Sequence, residues 1–387
     1  MINNTFYDLA IIGGGISSCV FASTHIKNGF KGRIAIIENG RNLGGRASTR
    51  VSFSNSGWQL NHGSPNFNIS NITNNSLLKT FIQELLDTKI IQSDFSDLIE
   101  LDVKPKEHKK INSYFYSGQN YISNSSMSDL SQEIISYTNL KNQVDYFFQT
   151  LIVKLDYENN IWTLTSQNGS IFKTKFLICS SNLILHKRSL DILNINQIPL
   201  RKAIPINYDK KIDSILNLLN EQEYIQRLTF LIYTKSNYCY KDNYKKKFRY
   251  FLLSKLLENK FKFERIIFQK QIKDQLGIVL HTRNIEFINE YFQCQNKEIF
   301  KNKLLEKFNQ IFDKNLYINK LIDYQDISIM IWNASQPSGL GIPENLQVCE
   351  NSNIAFCGDW FELEGFGRIE GAILSGLKLS QKINLLY

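Results

Sequence analysis

The chain begins with apolar runs and polar breaks in the order strand, turn, helix, strand. Residues 6–12 predict a short buried strand, because their last four positions are all apolar. Three glycines follow at once, and a helix is expected from there to about residue 29. A second apolar strand over residues 33–37 ends at Glu38. This order predicts a βαβ unit of the dinucleotide-binding type.

The glycine turn has the spacing that a bound pyrophosphate needs. Gly13 permits the tight turn, and Gly15 lets the backbone approach phosphates that lie at the helix N-terminus. Ser17 and Ser18 open the helix, and Ser18 replaces the third glycine of the usual G-x-G-x-x-G pattern. Glu38 is placed to accept hydrogen bonds from an adenosine ribose, so the site should prefer FAD or NAD to NADP.

A second glycine motif distinguishes between these cofactors. Gly44 and Gly45 let the backbone pass close to a second phosphate or to a flavin, and Arg46 follows them. Its guanidinium can hold a pyrophosphate through two hydrogen bonds. A plain NAD domain has no need of this motif, so the sequence predicts FAD. Covalent attachment is not expected, since no cysteine lies in an obvious flavin-attachment motif.

The C-terminal part of the chain predicts the other half of the site. Residues 353–357 form an apolar strand that is followed by Gly358 and Asp359, and a helix begins at residue 369. We expect Asp359 to hold the ribityl hydroxyls. Free N–H groups near Glu370, Gly371 and Ala372 are expected to face the flavin pyrimidine edge, where negative charge accumulates on reduction.

These motifs resemble those of the flavin-containing amine oxidase superfamily, which includes monoamine oxidases, phytoene desaturases and renalases. Residues 9–46 look like its N-terminal fingerprint, and the motif from Gly358 to Gly376 resembles its closing motif. Residues 60–67 are similar to the segment that passes beside the flavin in the renalase-like branch, although Asn61 replaces the usual aspartate. The resemblance adds four candidate cofactor contacts in this segment: His62, Gly63, Ser64 and Pro65.

The resemblance also implies the architecture. We expect an α/β fold in which an FAD-binding Rossmann-like domain, with a parallel sheet and a β-meander, is joined by an α+β substrate domain formed by insertions. A hairpin predicted over residues 144–155 and 161–166, and a strand over 172–179, supply the meander, in which a residue near Val153 contacts the adenine. The cofactor domain is assigned residues 1–68, 140–189 and 327–387, and the substrate domain residues 69–139 and 190–326.

Catalytic candidates are His62, Trp332 and Trp360. A histidine beside a flavin can polarise a substrate, and the two tryptophans lie near the predicted flavin motifs. A turn residue with its ring bonded to the backbone is the simpler interpretation of His62, and packing explains the two tryptophans equally well. The expected reaction is hydride transfer to noncovalent FAD from an amine or a reduced nicotinamide such as NAD(P)H, followed by reoxidation by dioxygen or another acceptor.

Two alternatives stay open at this point. The superfamily includes desaturases and isomerases of polyenes or lipids, and a basic, aromatic stretch around Lys246 would then dock on a membrane. The same fold also occurs in GDP-dissociation inhibitors, which use no flavin. The presence of Glu38, Arg46 and Asp359 together argues against such a binding protein.

Charge and composition limit the classes of binding partner that the sequence predicts. The net charge of +9 is concentrated in residues 241–265, and without a nucleic-acid motif a solvated face is the simpler interpretation. We expect a small-molecule substrate and no nucleic-acid partner, with peripheral membrane contact left open. The six cysteines form no C-x-x-C pair, so neither a metal site nor a disulfide framework is predicted. No apolar stretch is long enough for a membrane span, which favours a cytoplasmic protein.

Overall fold

The computed structural model describes residues 5–51, 58–70, 75–96, 98–102, 118–138, 143–234, 248–271, 276–315 and 324–384. Its first sheet contains β1 (Thr5–Ile12), β2 (Ile34–Ile37), β9 (Val144–Phe147), β10 (Ile152–Glu158), β11 (Ile161–Ser166), β12 (Ile171–Cys179), β18 (Val348–Cys349) and β19 (Ile354–Phe356). The second contains β7 (Leu98–Leu101), β13 (Glu223–Thr234), β14 (Phe248–Leu253), β15 (Arg265–Lys270), β16 (Leu276–Thr282) and β17 (Tyr324–Ser338).

Two small sheets and the helices complete the described elements. The small sheets pair β3 (Thr49–Val51) with β4 (Gln59–Asn61), and β8 (Gln119–Ser123) with both β5 (Phe67–Ile69) and β6 (Ile91–Ser93). The helices are α1 (Ile16–Lys27), α2 (Ser76–Asp87), α3 (Asp129–Ser136), α4 (Arg188–Leu193), α5 (Pro199–Ala203), α6 (Lys210–Glu221), α7 (Lys255–Phe261), α8 (Ile285–Gln293), α9 (Lys297–Asn315) and α10 (Ile369–Asn384).

The first sheet confirms the predicted βαβ unit. Strand β1 lies between β2 and β12, and both of these neighbours run parallel to it. Strands β9 and β19 extend the parallel sheet on either side. The carboxyl ends of these strands meet at one edge, which is where ligands bind in open α/β sheets. The segments that follow β1, β2, β12 and β19 therefore lie close together.

The meander is also present, with one difference from the prediction. Strands β10, β11 and β12 run antiparallel, and Asn159 and Asn160 make the first turn with φ of 50° and 61°. Two consecutive left-handed residues form the tight turn that suits a hairpin. Residues 144–155, predicted as one strand, are instead β9 and β10, which lie at opposite edges of the sheet. The left-handed Gln149, with φ of 52°, interrupts the extended run between them.

The second sheet has the order β17-β13-β16-β15-β14-β7 and is antiparallel except where β7 meets β14. One face packs on α7, α8 and α9 through a core that includes Phe230, Phe263 and Phe287. Because side chains alternate between faces of a strand, every second position points the other way. On that opposite face Leu231 and Val279 pack with Leu60 of β4.

The packing does not follow the division into domains that the sequence predicts. Helices α2 and α3, from the segment assigned to the substrate domain, share a core with β1 and α1. Helices α5 and α6 pack on the other face of the first sheet, together with Trp162 and Phe356. Strand β17 joins the second sheet, although residues 327–387 were assigned to the cofactor domain. The reason is that these helices cover apolar faces of the first sheet, which would otherwise lie exposed to water.

The basic stretch is described only in part, since Lys245, Lys246 and Lys247 lie outside the described residues. Lys255 and Lys260 are exposed on α7, at the outer side of the second sheet. Within the described part of the chain, no helix is both long and apolar enough to cross a membrane.

The contact between α1 and α10 brings the two ends of the chain together. A Cβ atom added to Gly376 would lie 2.4 Å from the carbonyl oxygen of Ser17 and 3.1 Å from the Phe21 nitrogen. Only glycine fits here, because the opposing atoms belong to the backbone and cannot move aside independently.

We therefore expect Gly376→Val to destabilise the fold by about 1–3 kcal/mol, the usual cost of overpacking a well-filled core. Thermal or urea unfolding measures this change. Gln381→Val introduces the same side chain at an exposed position of the same helix and should change stability by less than about 0.5 kcal/mol. Equal stability losses in the two variants would contradict the close contact.

Candidate functional site

A cavity of about 680 Å³ opens at the carboxyl edge of the first sheet and continues to one face of the second sheet. This volume is within the range of small-molecule sites. Fifteen of the residues predicted from the sequence line it: Gly13, Gly15, Ser17, Glu38, Gly44, Gly45, Arg46, His62, Gly63, Ser64, Trp332, Gly358, Asp359, Trp360 and Ala372.

The glycine turn lies at the centre of this edge. Gly13 has a φ of +101°, and a Cβ atom there would lie 2.8 Å from the backbone nitrogen of Ser181. Gly15 differs, because its φ of −77° is ordinary and an added Cβ would meet nothing within 4 Å. Its open side faces the cavity, so its lack of a side chain leaves room for a ligand. Ser18 is fully buried and donates to the Gly15 carbonyl oxygen at 2.7 Å, which explains how a serine fits in place of the third glycine.

Glu38 is held in a fixed orientation at the end of β2. Its Oε2 accepts a hydrogen bond from the Gly14 nitrogen at 2.7 Å, and its Oε1 accepts one from the Gly40 nitrogen at 2.6 Å. The turn therefore holds the carboxylate of Glu38 in place beside the glycines.

The Gly44–Gly45 segment packs directly on this turn. The Gly44 nitrogen donates to the Gly14 carbonyl oxygen at 2.9 Å. Arg46 then extends along the cavity, where its Nη2 lies 2.5 Å from Asp359 Oδ1 and its Nη1 donates to the Ser335 carbonyl oxygen at 3.2 Å. The Arg46 side chain is 41% exposed and that of Asp359 only 5%. The two groups predicted to contact separate parts of a cofactor thus contact each other.

The start of α10 corrects one expectation. The Gly371 nitrogen donates to the Gly365 carbonyl oxygen at 3.2 Å, and the Ala372 nitrogen donates to the Arg368 carbonyl oxygen at 3.1 Å. These two N–H groups are therefore not free to face a flavin, because the preceding loop already supplies their acceptors. Glu370 is fully buried and accepts hydrogen bonds from the Ser70 nitrogen and hydroxyl.

Five of the predicted residues are not among those that line the cavity: Ser18, Pro65, Val153, Glu370 and Gly371. Ser18 and Glu370 turn their side chains to the partners just described. Val153 lies on β10, which β11 and β12 separate from β1. Pro65 is buried, although the residue before it, Ser64, lines the cavity.

His62 is a buried residue of the cavity wall. Its ring centroid is 5.3 Å from that of Trp332, and its Nε2 lies 3.3 Å from the Ser48 hydroxyl. The other nitrogen, Nδ1, is buried without a hydrogen-bond partner in the described part of the chain. Burial, with a smaller effect from the charge of Arg50, lowers the pKa of His62 to about 4. A neutral imidazole adds no positive charge to this part of the cavity wall.

The two tryptophans differ in their surroundings. Trp332 is half-buried on β17, and its indole nitrogen donates to the Thr229 hydroxyl at 3.2 Å. Trp360 is 2% exposed and packs on Phe361 with 4.4 Å between ring centroids. Most of Trp360 thus belongs to the core of the first sheet, whereas Trp332 presents a ring face beside His62.

The second sheet contributes a wall of the cavity that was not predicted from the sequence. Cross-strand pairing places Arg265 opposite His281 and His281 opposite Thr229, and all three line the cavity. Only part of this wall had a signal in the sequence: polar and apolar residues alternate over residues 227–230 of β13, whereas Arg265 precedes an apolar run on β15. Ser180 and Ser181 were also missed, although they follow β12 at the carboxyl edge where a ligand residue is expected.

This wall carries a network of ion pairs. Arg227 contacts Glu264 through Nε at 2.5 Å and Nη2 at 3.3 Å, and Arg283 Nε lies 3.2 Å from the same carboxylate. Burial raises the pKa of Glu264, but Arg227 and Arg265 outweigh it and lower that pKa to about 2. His281 is buried, its Nε2 donates to the His62 carbonyl oxygen at 3.1 Å, and burial and Arg265 lower its pKa to about 3.

A second cluster missed by the sequence lies near Asp359. Arg188 stacks over the ring of Tyr224, with 4.2 Å from its guanidinium carbon to the ring centroid. Its Nη2 donates to Asn182 Oδ1 at 3.0 Å, and the Asn182 amide contacts the Tyr224 hydroxyl. No spacing in the sequence indicates this cluster, because its members come together only through the packing of three separate segments.

Comparison with known proteins supports the fold. Residues 11–85 match the model of the NAD(P)-binding Rossmann-like domain. None of the curated proteins matches this chain in sequence. A solved structure of a protein assigned as a protoporphyrinogen oxidase, from Exiguobacterium sp. 255-15, aligns over 100% of both chains with a TM-score of 0.65 and 10% identity.

Two structures of putrescine oxidase are similar in the same way. A variant with redesigned cofactor binding aligns with a TM-score of 0.64 and 11% identity, and the wild type bound to putrescine with 0.63 and 11%. Each alignment covers 99% of this chain and 100% of the other. The chain therefore has the α/β fold of these oxidases, with a Rossmann-like domain and a second domain built on further sheets.

The ion pairs of Glu264 make the free energy of unfolding of the protein depend on pH. Because the pKa of folded Glu264 lies below its ordinary value of 4.5, its stabilising effect is complete above that pH and is lost as the pH falls towards 2. We expect Glu264→Gln to cost about 2–3 kcal/mol at neutral pH and clearly less near pH 3. Urea unfolding at several pH values measures this difference.

The matched control is Glu286→Gln, which removes an exposed carboxylate 3.1 Å from Lys262. Its effect should stay below about 0.5 kcal/mol at every pH, as for surface ion pairs in general. A cost of Glu264→Gln that does not change with pH would show that the charge of Glu264 contributes little.

Proposed function

We propose that this chain is an oxidoreductase that binds FAD noncovalently. One observation carries the proposal: Gly15, Glu38, Arg46 and Asp359 line one continuous cavity at the carboxyl edge of the parallel sheet. The two chain ends contribute these residues in the arrangement that an extended dinucleotide requires. The cavity then continues to a second sheet, which leaves space for a substrate beyond the cofactor.

The residues present fit the cofactor. The open side of Gly15 admits a pyrophosphate at the N-terminus of α1, and the half-exposed guanidinium of Arg46 supplies the positive charge. The preorganised carboxylate of Glu38 suits the ribose hydroxyls of the adenosine. Asp359, next to Arg46, remains our candidate for the ribityl chain.

When bound, FAD supplies the ability to take up two electrons from a substrate. The chain's own residues would bind and orient that substrate. The rings of His62 and Trp332 lie next to each other in the cavity wall, and the neutral imidazole of His62 adds no charge there. The second sheet forms the wall of the cavity that a bound substrate would contact.

For the reaction itself, we infer a renalase-like oxidation of an amine or a reduced nicotinamide. Dioxygen or another acceptor would then remove the electrons. The similarity of residues 60–67 to that branch supports it, and three of the four candidate contacts in this segment line the cavity. The fold shared with a putrescine oxidase and with a protein assigned as a protoporphyrinogen oxidase is consistent with oxidase chemistry.

Gly15→Val gives a sharp test, because the backbone at Gly15 is unstrained and no protein atom lies within 4 Å of its Cβ position. The variant should keep its stability without added FAD, to within about 0.5 kcal/mol. Its FAD affinity should fall by about 100-fold or more, since the side chain fills the space left for the pyrophosphate. Flavin absorbance after gel filtration and a fluorescence titration measure the two effects.

The control is Gln381→Val, which is exposed on α10 away from the cavity and should keep full FAD affinity. Wild-type protein without flavin absorbance, and without binding of added FAD, would overturn the proposal. That result would favour a binding protein on the same fold. Unchanged FAD affinity in Gly15→Val would refute the assigned pyrophosphate position.

A further inference from the structure

Arg188, at the start of α4, lies in the cavity wall, where uncharged groups hold its guanidinium. Its Nη2 donates to Asn182 Oδ1 at 3.0 Å, and its Nε donates to His186 Nδ1 at 3.3 Å. Because His186 accepts through Nδ1, its proton lies on Nε2, which donates to the Gln222 carbonyl oxygen at 2.8 Å. The guanidinium also stacks over the Tyr224 ring, with 4.2 Å from its carbon to the ring centroid. These contacts fix the side chain in position.

No carboxylate of the described residues pairs with this guanidinium. Arg46 differs, because its Nη2 lies 2.5 Å from Asp359 Oδ1. Burial lowers the pKa of Arg188, Tyr224 opposes this effect, and the charge of Arg46 adds to it. The group stays protonated at neutral pH, and a charge withdrawn from water without a counter-charge is unfavourable. Since Nη1 makes no hydrogen bond to the described residues, it can donate to an anion in the cavity.

The order of the strands shows which part of a ligand would pass this group. Strands β2, β1, β12 and β19 lie side by side in that order and run parallel. Glu38 follows β2, the glycine turn follows β1, and Asp359 follows β19. Asn182, which holds Arg188, follows β12. A ligand that extends from Glu38 to Asp359 therefore crosses the carboxyl ends of β1 and β12, beside Arg188.

Arg188 lies on the Asp359 side of this path. Burial and the charge of Asp359 raise the pKa of Tyr224, over whose ring Arg188 stacks. Arg46, which contacts Asp359, is also close enough to lower the pKa of Arg188. In FAD, one phosphate is linked to the adenosine and the other to the ribityl chain of riboflavin. With the adenosine ribose at Glu38 and the ribityl chain at Asp359, the phosphate linked to riboflavin would lie nearer to Arg188.

We propose that Arg188 binds the riboflavin-linked phosphate of FAD, and that it makes the site prefer a phosphorylated flavin to riboflavin. This inference rests on the proposed function, since it takes FAD as the ligand. Arg46 keeps its contact with Asp359, and Arg188 adds a positive charge that no carboxylate of the described residues pairs with. Its Nη1 donates to a phosphate oxygen, and hydrogen bonds between charged groups are stronger than those between neutral ones.

FMN and riboflavin isolate this phosphate, because they share the ring system and the ribityl chain and differ only in the phosphate. Each is titrated into flavin-free protein and followed by flavin fluorescence, and FAD and AMP are titrated in parallel. We expect the wild type to bind FMN at least about tenfold more tightly than riboflavin. In Arg188→Gln this ratio should fall to about twofold or less, and the affinity for FAD should fall about tenfold. AMP carries the other phosphate and should bind equally to both proteins.

Further variants separate direct contact from a general effect of charge. Lys187→Gln removes the same charge from the preceding residue, whose side chain is exposed and is not among those that line the cavity. It should leave the preference for FMN unchanged. Arg188→Lys keeps the charge but loses the planar fork, so its preference should lie between those of the wild type and Arg188→Gln. Urea unfolding of the flavin-free proteins checks that each variant is folded, and Arg188→Met replaces Arg188→Gln if the latter is not.

The outcomes distinguish this inference from the proposed function. If the wild type binds FAD but does not prefer FMN to riboflavin, or if the preference survives the loss of the Arg188 guanidinium, the assignment fails and the function stands. Weaker binding of AMP in Arg188→Gln, with FMN unchanged, would also overturn the assignment. If FAD does not bind while the preference for FMN and its loss in Arg188→Gln remain, the phosphate site stands and FAD is wrong as the cofactor. Wild-type protein that binds no flavin would overturn both.

Discussion

The guanidinium of Arg46 contacts two segments that are remote along the chain, Asp359 after β19 and Ser335 on β17. Through these contacts the loop that follows β2 is tied to the C-terminal strand of the first sheet and to the edge of the second. The cavity lies where the three segments meet. Because the carboxylate of Asp359 is almost fully buried, breaking the pair would leave an uncompensated charge, which is strongly unfavourable. The Arg46–Asp359 pair thus joins the glycine-turn side of the cavity to its C-terminal side.

Charge divides the cavity into two regions. At the first sheet, Glu38 and Asp359 face Arg46 and Arg188, so acidic and basic groups are balanced around the glycine turn. At the second sheet, Arg227 and Arg283 form ion pairs with Glu264 and Glu258, and burial lowers the pKa of His281 to about 3. A bound dinucleotide would bring two phosphates to the first region.

The residues that the sequence located correctly at the cavity are those whose position follows from local backbone geometry. Gly13, Gly15 and Glu38 lie at the ends of adjacent parallel strands, and such ends share one edge whatever the rest of the chain does. The predictions that were wrong concern contacts between segments that are distant along the chain. The N–H groups of Gly371 and Ala372 are occupied by carbonyl groups of a loop whose path no spacing predicts. The helices α2 and α3 pack on the first sheet rather than on the second because of apolar surfaces that only the folded chain brings together.

The sequence by itself determined the βαβ unit and the meander turn at Asn159-Asn160, since both depend on short-range patterns of glycine, asparagine and apolar residues. The tertiary structure alone decided which face of the second sheet meets the cavity. Helices α7, α8 and α9 cover one face, and therefore Arg227, Arg265 and His281 turn towards the other. Alternation along a strand gives two possible faces, and only packing against a third layer selects between them.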